Sequence, residues 1–392
     1  LHRRGKAPEA RERYAAALGL RPDLTPAYNN LGAALNTTGD SELAVPYYRR
    51  ALAADPTSVG ALQNLARALR NLGRIEEALE AAEEAVRLAP DSVEGRLQLG
   101  VARRDMRDLD GALSAFAKLL ELEPKHAEGG FEFAFTLLLT GDLTRGFEAY
   151  EARWRMPKAR RIKDDAPVWD GGPLRGRRLL VRGEQGFGDA IQFARYLPRL
   201  REMGAGAVLV ETRKPLVRLF SAIEGVDAVV AYEDELPAHD LWTPLLSLPR
   251  FFKVTLDALT WDGPYLSAPQ TGPRLAEGAP RPRVALCWAG SPTHLNDRRR
   301  SIGLRGLAPL LERAEVSFIT IQKGPAAKEI QDLSLQGVVR GDGEALKDFA
   351  DTASLLRDVD LELAQHAPVA VRVRVAAARG LQALEQRGPD PR

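Results

Sequence analysis

Three sets of residues in this 392-residue chain have the types and spacing to do chemistry. The first is Arg182-Gly183-Glu184-Gln185-Gly186-Phe187-Gly188-Asp189, a carboxylate at the end of a glycine-rich run. Gly183, Gln185, Gly186 and Gly188 would form a tight turn that a ligand can approach closely, with no room for a branched side chain at Gly188. Asp189 could take a proton from a substrate hydroxyl, or cap the helix that follows. The glycine spacing is not that of a dinucleotide fingerprint. The second set is Ser291, Asn296, Arg298, Arg300 and Ser301 in one polar stretch, with Lys323 further on in Gln322-Lys323-Gly324-Pro325. Guanidinium forks suit phosphate oxygens, although a solvated run of charge is the plainer reading. The third set is Asn30, Asn64 and Gln98, each 34 residues from the next. Their amides can both donate to and accept from an extended peptide backbone, or simply make a surface hydrophilic. Glu132 takes the next place in that series.

Each set needs elements to hold it. Arg177 to Val181 ends in an apolar run that reads as a strand, and Ala190, Ile191, Ala194, Leu197 and Leu200 follow at helical spacing. A strand, a glycine turn and a helix begin a Rossmann-type half, whose helix N-terminus offers free N–H groups. Ala207 to Val210 and Ala228 to Val230 read as further strands, with Pro215 to Ile223 helical between them. The alternation argues for a parallel sheet covered on both faces. After a proline- and glycine-rich segment from Ala268 to Pro282, Arg283 to Trp288 and Val316 to Ile321 start a second half. Cys287, inside such a strand, reads as core.

The first part of the chain keeps a different rhythm. Pro22, Pro56, Pro90 and Pro124 are 34 residues apart, and Gly5, Gly39, Gly73 and Gly141 keep the same beat with Arg107 in the vacant slot. Small residues recur at Ala10, Ala44, Ala78, Ala112 and Gly146, and aromatics at Tyr14, Tyr48, Phe116 and Tyr150, with Ala82 once in their place. The period and its markers resemble the tetratricopeptide repeat. The resemblance implies paired helices stacked into a solenoid with a groove, proline near the start of each first helix and glycine between the two. In repeat proteins of this kind, including the O-linked N-acetylglucosamine transferases, an amide ladder such as Asn30, Asn64 and Gln98 binds peptide. Because repeat contacts are local, the solenoid is expected to fold independently of the rest.

The expected architecture is therefore an α solenoid over residues 1–155, a linker over 156–175 and two Rossmann-like halves over 176–270 and 283–362, followed by an atypical tail over 363–392. Trp169, between prolines, is expected to staple the solenoid to the next domain. The Pro-x-Trp-Asp-Gly linker, the Gly-Glu-Gln-Gly-Phe-Gly-Asp turn, the Trp-Ala-Gly-Ser-Pro-x-His-x-Asn-Asp-Arg-x-Arg-Ser stretch and Gln-Lys-Gly-Pro together resemble one family. It is the bacterial tetratricopeptide proteins with a heptosyltransferase-like, GT-B glycosyltransferase domain. The resemblance implies an acceptor on the first half, a nucleotide sugar on the second, and transfer of the sugar to a protein or glycan. It implies Asp189 as base. Arg298, Arg300 and Ser301 match the donor loop and would neutralise the departing diphosphate, with Ser291, Asn296 and Lys323 as further donor-binding residues and no metal and no cofactor beyond the donor itself. After Leu361 the sequence leaves the family's pattern, and His366 does not fall in its motif. The second half is thus expected to be truncated and transfer impaired. The alternative is a non-catalytic scaffold that binds proteins through the repeats.

Composition narrows the classes. Apolar residues make up 45% of the chain and charged residues 28%, with a net charge of +2, so nucleic acid is not an expected partner. A single cysteine excludes an internal disulfide and a cysteine-rich metal site. No apolar run reaches the roughly 18 residues of a membrane span. A cytoplasmic address is the default expectation, and the number of repeats before Leu1 stays open.

Overall fold

The computed structural model describes residues 7–157, 159, 162–259, 264–270, 272–274, 276–290 and 301–364, excepting the side chains of 7 and 361–364. The chain divides into two compact units. One holds residues 1–161 with 252–259, the other 162–251 with 260–392.

The first unit is helical. Its helices are α1 (Ala7–Leu20), α2 (Thr25–Thr37), α3 (Ser41–Ala54), α4 (Val59–Asn71), α5 (Ile75–Leu88), α6 (Val93–Asp105), α7 (Leu109–Leu122), α8 (Ala127–Leu139) and α9 (Leu143–Ala149). The even-numbered helices open each repeat. The four periodic prolines stand three residues before their starts, in the turns that lead into them. There proline stops the preceding helix, which needs its N–H to continue. The cap positions that follow stay free for side chains: Gly95 N–H donates to Ser92 Oγ at 3.1 Å, and Gly129 N–H to His126 Nδ1 at 2.9 Å.

Between paired helices the backbone turns left-handed, with φ of 90° at Gly39, 77° at Gly73 and 85° at Gly141. Arg107 adopts 67° in the turn between α6 and α7, so the vacant glycine slot keeps the glycine conformation. Inside each repeat a small residue on the first helix faces the periodic aromatic on the second. A Cβ on Gly32 would stand 2.7 Å from the Tyr48 ring, and one on Gly100 would stand 2.5 Å from Phe116. Where Ala82 replaces the aromatic, Ala66 replaces the glycine, and both are buried. The core so formed runs through Leu31, Leu35, Leu62, Leu65 and Leu69. Residues 252–259 also belong to this unit. Thr144 Oγ1 donates to the Val254 carbonyl at 3.1 Å, Val254 is buried, and Leu256 lies over Gly141. The solenoid is therefore not built from residues 1–155 alone, and its last repeat is completed by chain from 110 residues downstream.

The second unit carries two four-stranded sheets, both wholly parallel. The first has β1 (Arg178–Arg182), β2 (Ala207–Thr212), β3 (Ala228–Ala231) and β4 (Leu241–Pro244) in the order β3-β2-β1-β4. The other has β5 (Arg283–Cys287), β6 (Ser317–Thr320), β7 (Val339–Arg340) and β8 (Leu361–Ala364) in the order β7-β6-β5-β8. Short helices connect them: α10 (Phe187–Phe193), α11 (Arg199–Glu202), α12 (Val217–Phe220), α13 (Leu248–Phe251), α14 (Ala308–Leu311), α15 (Glu329–Asp332) and α16 (Phe349–Leu356). The central strands are buried apolar runs, as parallel strands covered on both faces must be. The second sheet keeps its strand next to β5, because β8 pairs Val284 with Leu361 through Cys287 with Ala364. Residues 365–392, the rest of the atypical tail, lie outside the described residues. Trp169, expected as a staple to the solenoid, instead finds its partners within this unit. Its N–H donates to the Trp242 carbonyl at 2.8 Å, its indole to the Gly172 carbonyl at 2.8 Å, and its ring lies 4.7 Å from that of Phe251.

Candidate functional site

On the solenoid, the three amides sit on α2, α4 and α6 in different surroundings. Asn30 is exposed. Asn64 is half-buried, and its Nδ2 donates to Asn29 Oδ1 at 3.0 Å. Gln98 is buried and donates to Glu94 Oε1 at 2.8 Å. The same Glu94 receives Arg67 from α4, and Glu132, in the fourth place of the series, is paired with Arg104. Gln63 Nε2 donates to Ser92 Oγ at 2.7 Å, and Asn71 Nδ2 to Asn36 Oδ1 at 3.3 Å. Apart from the Gln98–Glu94 bond, which lies within α6, these bonds join one first helix to the next, so amides, guanidiniums and carboxylates form a ribbon along the stacked helices. The 34-residue spacing could give the positions but not these partners, which come from the neighbouring register.

In the α/β unit, the turn after β1 leads into α10, and Gly186 is the cap residue of that helix. Asp189 is half-buried, and its Oδ2 accepts the Gly186 N–H at 3.2 Å. Burial raises its carboxyl above the ordinary value, while the Gly186 bond works the other way. The glycine with no room is Gly183, not Gly188. A Cβ at Gly183 would meet the Tyr232 hydroxyl at 2.9 Å and the Glu211 carbonyl at 3.1 Å, whereas at Gly188 it would meet nothing within 4 Å. Gln185 gives its carbonyl to Arg213 Nε at 3.3 Å, and the Arg213 guanidinium also lies over the rings of Phe187 and Tyr232. Glu184 Oε1 accepts the Leu246 N–H at 3.1 Å. The turn is thus held on several sides.

Beneath it lies a buried ionic cluster that the sequence reading missed. Arg182, at the end of β1, forks onto Glu211 at the end of β2 at 2.8 and 3.0 Å. It also donates to Asp164 at 2.9 Å, and His239 Nε2 lies 3.0 Å from the other oxygen of Asp164. Burial pushes the Asp164 carboxyl up, but the bonds from His239 and the Ala166 N–H, with Arg182 nearby, hold it below the ordinary range. The available signal was a charged residue closing each of two apolar strands, Val181-Arg182 and Val210-Glu211.

In the second half of the unit, Ser301 Oγ accepts the Gly290 N–H at 2.9 Å. Ser291, Asn296, Arg298 and Arg300 lie outside the described residues. Lys323 Nζ donates to the Leu346 carbonyl and lies 4.0 Å from Glu344. Its neighbour Gln322 is buried, and its Oε1 accepts the N–H groups of Trp288 at 3.1 Å and Ala289 at 2.9 Å. Gln322 therefore fixes where the chain leaves β5. The two halves meet where the ring of Phe187, in α10, lies tilted against that of Phe349 with ring centres 5.0 Å apart. Arg218 of α12 pairs there with Asp348, the cap residue of α16, at 2.7 Å, and with Asp351 inside that helix. Among the described residues no group of three His, Cys, Asp or Glu side chains could hold a metal ion, and no helix is long and apolar enough to cross a membrane.

Family models of the tetratricopeptide repeat match residues 2–59, 35–99 and 94–126. Protein FlbA of Caulobacter vibrioides is 28% identical over 257 residues, covering 57% of this chain and 42% of FlbA. The chain thus spans less than half the length of that relative. The matched share is larger than residues 1–155 make up, so the likeness runs on into the α/β unit. Among solved structures, TTC0263, a thermophilic tetratricopeptide protein of Thermus thermophilus, is 22% identical with a TM-score of 0.36, over 40% of this chain and 86% of that one. MamA of Desulfovibrio magneticus RS-1 is 22% identical with a TM-score of 0.35, over 38% of this chain and 84% of that one. Residues 2–126 are tetratricopeptide repeats, and the chain joins their solenoid to an α/β unit of small parallel sheets.

Proposed function

We propose that the protein is a binding scaffold whose solenoid holds an extended segment of a partner protein along the face of α2, α4 and α6. The observation that carries this is the polar ribbon, in which Asn64 donates back to Asn29 on α2 and Gln63 forward to Ser92 at the start of α6, while Gln98 is held by Glu94 within α6. Packed helices lie about 8–10 Å apart. An extended chain advances about 3.3 Å per residue. Neighbouring repeats therefore address backbone groups about three residues apart. Asn30 stands open to solvent, and Asn64 keeps a half-exposed amide beside Asn29. The test begins with short peptides selected from a random library on the full chain. Replacing Asn30, Asn64 and Gln98 together by Ala should weaken the selected peptide by about tenfold or more, at about 0.5–1.5 kcal/mol per hydrogen bond. Unchanged affinity in the triple variant, with the helical circular dichroism intact, would sink the reading.

A second reading concerns the α/β unit: transfer of a sugar from a nucleotide donor by a GT-B-like pair of halves. It is favoured by two parallel sheets of like strand order, with a carboxylate at the helix that follows the first strand. Asp189 would accept the acceptor's proton, and its raised pKa suits a base better than a fully solvated carboxylate would. Ser301 and Lys323, with the arginines between Ser291 and Ser301, would face the diphosphate. The departure after Leu361 weakens donor binding in this account. Incubating the chain with radiolabelled nucleotide sugars decides it: label transferred by the wild type and lost in Asp189→Asn supports transfer, and no label transferred removes it.

A further inference from the structure

The repeat array shows which residues its own packing calls for, and the third repeat departs from it at two places. The register holding Leu35, Leu69 and Leu137, all buried, holds Arg103 on α6. The register holding Tyr28, Leu62 and Gly130 holds Arg96, two turns earlier on the same face of that helix. In the first repeat Tyr28 stacks on Tyr47 with ring centres 6.4 Å apart, whereas the later repeats all carry alanine there, Ala81, Ala115 and Ala149. Two apolar side chains are thus replaced by guanidinium stems, and no ring fills the space opposite. The result is a cavity of about 340 Å³ between α5, α6 and α7, floored by Leu99 and Ala115 and rimmed by Arg87, Arg96, Arg103 and Glu83. Replacing buried leucine by arginine gives up apolar packing that the other repeats keep. Local rules broken in this way mark functional sites more often than chance.

We propose that this cavity binds a small organic anion, a carboxylate or phosphate carried on an apolar body. Its volume lies within the roughly 300–1,000 Å³ of small-molecule sites. Leu99 and Ala115 give the floor its apolar part, and of the three rim guanidiniums Arg96 bonds a carbonyl, while Arg103 lies beside Glu83 and Asp108 and Arg87 beside Glu84. The guanidiniums are anchored but not consumed. Arg96 Nε donates to the Pro90 carbonyl at 3.0 Å, Arg103 Nη2 to Glu83 at 3.3 Å, and Arg87 forks onto Glu84 at 2.6 Å. A guanidinium has five N–H groups, so each keeps donors in hand, and its planar fork matches two oxygens at once. Arg103 remains 31% exposed, which leaves those donors reachable. The site is separate from the peptide-binding face, because Gln98 is two residues from Arg96 and so points about 200° around the helix.

Thermal unfolding of the full chain tests this with phenyl phosphate, benzoate and inorganic phosphate as probes, against potassium chloride at equal ionic strength. Phenyl phosphate should raise the unfolding midpoint by several degrees at millimolar concentration, and inorganic phosphate by less, because it lacks the apolar body. A benzoate shift as large as that of phenyl phosphate would assign the site to carboxylates. Arg96→Leu with Arg103→Leu restores the residues that Leu62 and Leu69 supply one repeat earlier. It should unfold at a higher temperature than wild type without ligand and lose the response. Arg103→Lys keeps the charge without the fork and should weaken the response about tenfold. No wild-type shift beyond that of chloride, or an undiminished shift in the double leucine variant, would overturn the proposal.

Discussion

Replacing Arg107 by glycine should make the solenoid more stable. Arg107 occupies the turn between α6 and α7 with φ of 67°, a conformation that costs an L-residue about 1–2 kcal/mol. The turn is otherwise the same as its glycine counterparts. The Arg107 N–H donates to the Arg104 carbonyl at 2.9 Å and the Asp108 N–H to the Arg103 carbonyl at 2.9 Å, as Gly73 and Arg74 donate to Arg70 and Leu69. The Arg107 side chain is exposed, so its removal gives up no packing. Glycine loosens the unfolded chain, which takes back about 0.4–1 kcal/mol. The net gain lies between roughly 0 and 1.6 kcal/mol, centred on about 0.8, or a rise of roughly 0.4 M in the urea midpoint at a slope of about 2 kcal/mol/M. Far-UV circular dichroism follows the transition. The mirror experiment is Gly39→Ala, where φ is 90° and an added Cβ meets nothing, so any loss comes from the backbone alone. A lower midpoint for Arg107→Gly, or an unchanged one for Gly39→Ala, would refute the reasoning.

Other perturbations have equally definite outcomes. Gly100→Ala should cost about 1–3 kcal/mol through overpacking against the Phe116 ring. Gly188→Ala, where a Cβ meets nothing, should cost under about 1 kcal/mol, and urea titration of both variants reads the difference. Arg182→Met should destabilise the α/β unit by about 3–5 kcal/mol, because Glu211 and Asp164 would stay buried without their counter-charge; hydrogen exchange of β1 and β2 measures it. Asp164, Asp227 and Asp348 are held below ordinary carboxylate values, against the effect of burial, by N–H groups and by His239 or arginines. Their contribution is therefore fully present above the unfolded value of about 4 and lost as pH falls through their lower folded values. The unfolding midpoint of the α/β unit should fall on acidification below about pH 4, and a rise there would contradict the cluster.

The repeats were legible because a 34-residue period repeats the same local packing problem, so Gly32 against Tyr48 foretells Gly100 against Phe116. Arg107 could be placed from the sequence, although its backbone angle could not. The α/β halves were legible as apolar runs separated by turn residues, and β1, β2 and β5 lie close to where those runs fall. Strand β7 has two residues and leaves no periodicity to read, and β8 was hidden because the family resemblance broke off beside it. Partners far apart in sequence were not legible at all. Arg182 meets Asp164 and Glu211 only through the sheet, and Thr144 meets Val254 across 110 residues. The same limit explains the misplaced glycine. Gly183 is crowded by Tyr232 and by the Glu211 carbonyl, and neither lies within the turn that the sequence displays.

The central claim is that a partner segment lies along the first helices of the repeats. Photo-crosslinking tests it most directly, with a benzophenone amino acid placed at Asn30, on that face, or at Glu80, exposed on the second helix α5. With a library-selected peptide bound, the probe at Asn30 should form a covalent adduct with the peptide and the probe at Glu80 should not. Adducts at Glu80 with none at Asn30 would contradict the account.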